Sequence, residues 1–146
     1  MRTLGNVQPK LSGSITLNKL PLEQHTIAEL AAEISIVLTE PIASKNLTVQ
    51  ELISLGRQPY TNWIGTLTED DKEKISLALD MVQMSELKSK KCYELSDGQL
   101  QRVMIARAIA QDTQLILLDE PTTPLLSMPK QVLLELISNK SQYHFF

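Results

Sequence analysis

The chain has 146 residues, the length of one ordinary domain, and 42% of them are apolar, enough for a real core. A balance of 14 basic against 17 acidic residues leaves a net charge of −3, which speaks against nucleic acid as a partner, because a non-specific phosphate binder needs a basic face. The one cysteine, Cys92, cannot form an internal disulfide and points to a reducing compartment.

"MRTLGNVQPK" has no apolar core behind its arginine, so no secretory leader is legible. No stretch approaches the roughly 18 apolar residues that span a bilayer. The expectation is a soluble, cytoplasmic chain, free to sit on a membrane protein. Residues 12–18, "SGSITLN", alternate Ile15 and Leu17 with polar residues and predict a strand. Thr26 predicts a helix cap for "TIAELAAE", with Ile27, Leu30 and Ala31 at helical spacing. "ISIVL" (34–38) is β-branched and predicts a short buried strand, ended by Pro41. A second helix is capped by Thr48, carries Val49, Leu52, Ile53 and Leu55, and stops at Gly56. A third starts at Thr68, with acids in its first turn that suit the helix dipole and Ile75, Ala78, Leu79 and Val82 facing inward. Most of its charges read as a solvated face. "KSKKCYEL" offers no second thiol and no histidine, so Cys92 is expected to be a solvated bystander.

"SDGQLQRVMIARAIAQD" predicts the clearest helix, with Leu100, Val103, Met104 and Ala108 as its buried stripe. "LILLD" (115–119) follows at once, and an unbroken apolar run of this kind suits a strand buried on both faces of a parallel sheet. "QVLLELI" opens one more helix, and "SNKSQYHFF" carries no clear pattern. The order of elements predicts an α/β domain with a helical insertion.

Two places carry chemistry. Asp119 and Glu120 stand at the carboxyl end of a predicted strand, where α/β sheets gather ligands. An aspartate there can hold Mg²⁺ against nucleotide phosphates, and a glutamate beside it can polarise a water. A buried strand ending in two solvated acids explains that pair alone equally well. Ser96, Asp97 and Gly98 open a helix whose free N–H groups favour an anion. A plain capped helix is the alternative there. The two places in succession, joined by a basic amphipathic helix, make a much more specific pattern than either.

"LSDGQLQRVMIARAIAQDTQLILLDEPT" resembles the ATP-binding-cassette (ABC) ATPases. "LSDGQ" is similar to their signature motif, LSGGQ, and "LILLDE" to their Walker B strand with its catalytic glutamate. "GRQPYTNW" and the aspartate in place of the first signature glycine resemble the iron-chelate, or siderophore, importer branch. The likeness runs over about residues 2–137. It implies a partial P-loop NTPase fold in which residues 47–110 form the helical subdomain and signature helix, 115–120 the Walker B strand and 138–146 a divergent tail. It implies ATP and Mg²⁺ as cofactors, a transmembrane permease and a second ATPase subunit, as in the family's homodimers, as partners, and a peripheral place on the inner face of the cell membrane. Ser96, Asp97, Gly98 and Gln99 would face the nucleotide held by the second subunit. Asp119 would serve Mg²⁺, and Glu120 the hydrolytic water. Thr39 and Glu40 match the Q-loop, which normally carries a glutamine that this chain lacks. Arg57, Tyr60 and Trp63 would receive the permease, with ordinary packing as the alternative for the two aromatics.

The 146 residues contain no G-x-x-x-x-G-K-[ST], the loop that wraps the phosphates in this family. Leu126 stands where a D-loop aspartate is expected, and no apolar strand leads to His144 as one leads to the family's switch histidine. His144 and His25 read as surface residues. The resemblance therefore implies a truncated importer subunit, marginally stable, with residues 47–110 its best-ordered part and with no activity by itself. The alternative is a non-hydrolysing interaction module that docks on a permease or an intact ATPase. A chromosome-maintenance ATPase lobe fits less well, because no heptad run precedes residue 93.

Overall fold

The computed structural model describes residues 15–37, 46–118 and 144–145. Four helices start on the same device. In α1 (Ile27–Glu33), α2 (Val49–Ser54), α3 (Glu69–Met81) and α4 (Asp97–Ala110), the residue before the helix is a threonine or serine whose side-chain oxygen accepts the N–H three residues on. The third helical residue, Glu29, Glu51, Asp71 or Gln99, reaches back to the cap's own N–H, so two orphan donors are satisfied at each start. The predicted caps Thr26, Thr48, Thr68 and Ser96 all stand at these positions.

A hairpin opens the described chain. β1 (Thr16–Leu17) pairs antiparallel with β2 (Leu20–Pro21) around Asn18 and Lys19, both at positive φ, as a two-residue turn requires. The expected strand over 12–18 is therefore two paired residues in its described part. His25 is half-buried instead of lying free on the surface, because its Nε2 donates to the Leu17 carbonyl at 3.1 Å and pins the hairpin.

The central sheet has the order β3–β4–β5, all parallel, with β3 at Ile34–Val37, β4 at Leu115–Leu118 and β5 at His144–Phe145. β5 is a correction: no pattern is legible in the tail, yet two of its residues pair with Leu115 and Ile116. The predicted helix over "QVLLELI" lies outside the described residues. Among the described side chains, β3 and β4 pack on both faces, as the unbroken apolar run predicts. Ile34, Ile36, Leu115 and Leu117 pack into a small cluster with Leu22 and Leu30. Val37 and Ile116 point the other way, into the main core.

That main core is the helical region. Val49, Leu52 and Ile53 of α2, Ile75, Ala78 and Leu79 of α3, and Val103 and Ala106 of α4 are all buried against one another. α4 buries more than one stripe. Val103, Ile105, Ala106, Ala108, Ile109 and Ala110 are all buried, whereas the expected Leu100 and Met104 are half-buried at the rim. The reason is position: α4 is packed between α2 and α3 on one side and the sheet on the other. Gln111 at its end donates to the carbonyls of Ala31 (2.7 Å) and Ile34 (3.1 Å), and Thr113 donates to the buried hydroxyl of Ser35 at 3.0 Å.

Two further expectations are corrected. Cys92 is buried, not solvated, because Cys92 N–H bonds the Leu47 carbonyl and Val49 N–H bonds Lys90, drawing the thiol under α2. Burial pushes the thiol pKa up, Glu51 adds to the rise and Lys91 opposes it, so the group is a poor nucleophile in the native state. Gly56 does not stop a helix. α2 ends at Ser54 and the chain runs on as a 3₁₀ turn over Leu55–Tyr60, with Gly56 buried inside it.

Candidate functional site

The start of α4 is built to stay open. Ser96 sits in extended backbone, its Oγ accepts from Gln99 N–H at 3.3 Å, and Gln99 Oε1 accepts from Ser96 N–H at 3.0 Å. The amides of the first turn have no acceptor within the helix, and they point out of its positive end. Ser96, Asp97 and Gly98 are exposed, and a β-carbon placed on Gly98 would meet nothing within 4 Å. With its oxygen accepting from Gln99, the Ser96 hydroxyl keeps its own proton for an incoming oxygen. This arrangement fits an anion such as a nucleotide phosphate arriving from outside the chain. Ser96→Ala is expected to lower stability by about 1 kcal/mol through loss of the cap, read as a lower urea midpoint at unchanged slope.

Asp119 and Glu120 follow β4 in sequence and lie outside the described residues, as do Thr39 and Glu40 after β3. Among the described residues no cluster of histidine, cysteine or acidic side chains could hold a metal. None of the described helices is long and apolar enough to cross a membrane.

The three residues assigned to a permease differ in exposure. Trp63 is 95% exposed and Ile64 beside it is 68% exposed. The segment that carries them is shaped locally: Asn62 Oδ1 accepts from Ile64 and Thr66 N–H, and Gly65 takes a positive φ of 77°. Trp63 is thus not packed beneath a loop. Tyr60 is exposed at its edge, and its ring lies against Arg57 at 4.1 Å. Arg57 itself is a correction, because it is only 3% exposed and cannot meet a partner directly. Its Nε donates to Asp71 Oδ1 at 2.7 Å and its Nη1 to the Ala110 carbonyl at 2.9 Å, with Asp70 Oδ2 at 3.8 Å from Nη2.

Asp71 is the matching correction on α3. It belongs to the acidic run read as a solvated face, yet it is 2% exposed. Its position three residues after the cap Thr68 signals a capping box in the sequence. Its pairing with Arg57 has no local signal, since 14 residues separate them.

Residues 1–123 match the ABC transporter family, and the chain belongs to that family. The achromobactin transport ATP-binding protein CbrD of Dickeya dadantii is 35% identical over 145 residues, which cover 99% of this chain and 54% of that protein. The iron(3+)-hydroxamate import ATP-binding protein FhuC of Bacillus subtilis is 36% identical over 97% of this chain and 54% of its own length. The chain thus spans about half the length of the curated relatives it matches. Among solved structures, cbiO1 of Clostridium perfringens, part of the ABC transporter complex cbiONQ, superposes on 99% of this chain and 59% of its own with a TM-score of 0.77. At 24% identity that likeness concerns the fold, a P-loop NTPase architecture. The family binds ATP with Mg²⁺, and its ATPases dimerise and work with transmembrane permease subunits.

Proposed function

We propose that the chain is part of the ATP-binding subunit of an importer for iron–siderophore complexes, which couples ATP hydrolysis to transport. The open start of α4 supports this most directly: Ser96, Asp97, Gly98 and Gln99 offer a hydroxyl, bare backbone and a helix dipole to the phosphates of an ATP held by a second ATPase subunit. Asp119 holds Mg²⁺ and Glu120 polarises the attacking water at this chain's own site, with Thr39 and Glu40 in the loop that senses them. The names of the relatives, achromobactin and iron(3+)-hydroxamate, support a siderophore as cargo. The subunit sits on the cytoplasmic face of the membrane, held there by a permease that takes the Tyr60 and Trp63 side chains.

The permease contact is tested by Trp63→Ala. Because the indole is almost wholly exposed, stability is expected to stay within about 0.5 kcal/mol of the parent. Binding to the permease in nanodiscs is expected to weaken by about tenfold or more, as for a central aromatic anchor. Unchanged binding would remove Trp63 from the contact.

A second reading is an interaction module that offers its signature end to an intact ATPase without hydrolysing ATP. It is favoured by one observation, that the 146 residues hold no G-x-x-x-x-G-K-[ST]. Mg-ATP turnover by the chain alone tests this reading: measurable phosphate release contradicts the module.

A further inference from the structure

We infer that Arg57 is a positioning residue that ties the exposed segment at residues 60–64 to the far end of α4, so that docking at the one is felt at the other. The inference rests on the importer role proposed above. It deepens that role by naming the side chain through which the two surfaces communicate.

One guanidinium joins three elements. It belongs to the 3₁₀ turn Leu55–Tyr60, pairs with Asp71 in the first turn of α3, and donates to the carbonyl of Ala110, the last residue of α4. The last carbonyls of a helix lack partners within it and carry its negative end, so a buried cation there both satisfies and stabilises α4. The opposite end of the same helix, 14 residues long, begins at Ser96. A helix of that length is a stiff rod of about 21 Å. On its outer side the guanidinium supports the Tyr60 ring, three residues before Trp63. Gly56 brings the turn so close to α4 that a β-carbon would run into the Arg107 carbonyl. A push on Tyr60 therefore meets α4 through a short, buried, polar link with little room to deform.

The chemistry requires arginine. Its planar fork donates to Asp71 and to Ala110 at once while offering a flat face to Tyr60. A lysine can answer the Asp71 charge, but one ammonium cannot also span the other two contacts. Arg57→Lys thus separates the positioning role from a merely structural one, since it restores the buried ion pair without the bridge.

The test is amide hydrogen exchange on the full chain, comparing the parent with R57K and R57Q. In R57K, exchange is expected to quicken by about tenfold at residues 60–66 and at residues 107–111 together, with residues 34–37 unchanged. R57Q is expected to do the same and to melt lower than R57K, because it also leaves Asp71 unpaired. Parent-like protection of both segments in R57K, or loosening of only one, overturns the inference. A second arm adds an ATP-loaded, hydrolysis-arrested full-length importer ATPase. In the parent chain it is expected to slow exchange at residues 97–100 and at residues 60–66, and in R57K only at 97–100. Slowing at 60–66 that survives in R57K overturns the inference. If the parent chain shows no slowing at 97–100, the importer reading fails and the exchange of the isolated chain decides alone. Should R57K not fold, Tyr60→Leu replaces it, removing the stacked ring and keeping the ion pair; residues 60–66 are then expected to lose their response to the ATPase, and a retained response overturns the inference.

Discussion

Asp71→Ala is expected to destabilise the chain by about 3–5 kcal/mol, the cost of leaving a buried charge without its partner. The side chain has two jobs. Oδ1 accepts from Arg57 Nε at 2.7 Å, and Oδ2 accepts from the Thr68 N–H and hydroxyl, each at 2.8 Å, closing the cap of α3. Alanine removes both and strands a guanidinium that is itself buried. Asp71→Asn keeps the shape and part of the cap but not the charge, so a smaller loss is expected. Urea unfolding of the three proteins at pH 7 gives the comparison. The same carboxylate sets a pH dependence. The Thr68 backbone N–H, with Arg57 and the Thr68 hydroxyl adding to it, holds the Asp71 pKa below the usual carboxylate range. A depressed pKa contributes stability that is present above the unfolded value near about 4 and is lost as pH falls through the folded value. Glu29 and Glu51 shift in the same direction, each chiefly through the backbone N–H of its capping threonine, so the parent loses stability below about pH 4 for three reasons. Asp71→Asn is expected to show a shallower loss over that range. A curve parallel to the parent's would mean that Asp71 does not titrate between the two states.

Gly56→Ala is expected to cost about 2–3 kcal/mol, as forced overpacking does, read as a lower midpoint in the same urea series. A β-carbon at this position meets backbone, the Arg107 carbonyl, which cannot swing aside as a side-chain end can. That carbonyl also accepts Gln111 N–H, so any shift disturbs the end of α4. Gly98 is the control. Its β-carbon direction is open, so Gly98→Ala is expected to change stability little, and its effect should show only where a nucleotide must approach closely.

Those two glycines also mark what the sequence makes legible. The helix starts are readable because a cap is a local code: Thr26, Thr48, Thr68 and Ser96 each satisfy amides a few residues away. The packing of Leu115–Leu117 on both faces is readable because composition alone distinguishes such a strand from an alternating one. The likeness of "LSDGQ" to a signature motif is readable as a string, and the structure adds that this end of α4 is open. Contacts that span the chain leave no such trace. Nothing near Arg57 announces Asp71 or Ala110, which are 14 and 53 residues away. Cys92 looks solvated among its lysines, and only the pairing of Thr48 with Lys91 explains its burial. The pairing of His144 and Phe145 with β4 depends on a neighbour far off in sequence.

The most direct measurement is the affinity of the full chain for a hydrolysis-arrested, full-length siderophore-importer ATPase, with and without Mg-ATP. If the start of α4 meets a nucleotide held by the second subunit, binding should be at least about tenfold tighter with Mg-ATP, a gain of about 1.4 kcal/mol. Gly98→Ala, folded like the parent, should abolish that gain. Equal affinity with and without nucleotide, or a gain that Gly98→Ala leaves intact, would contradict the account.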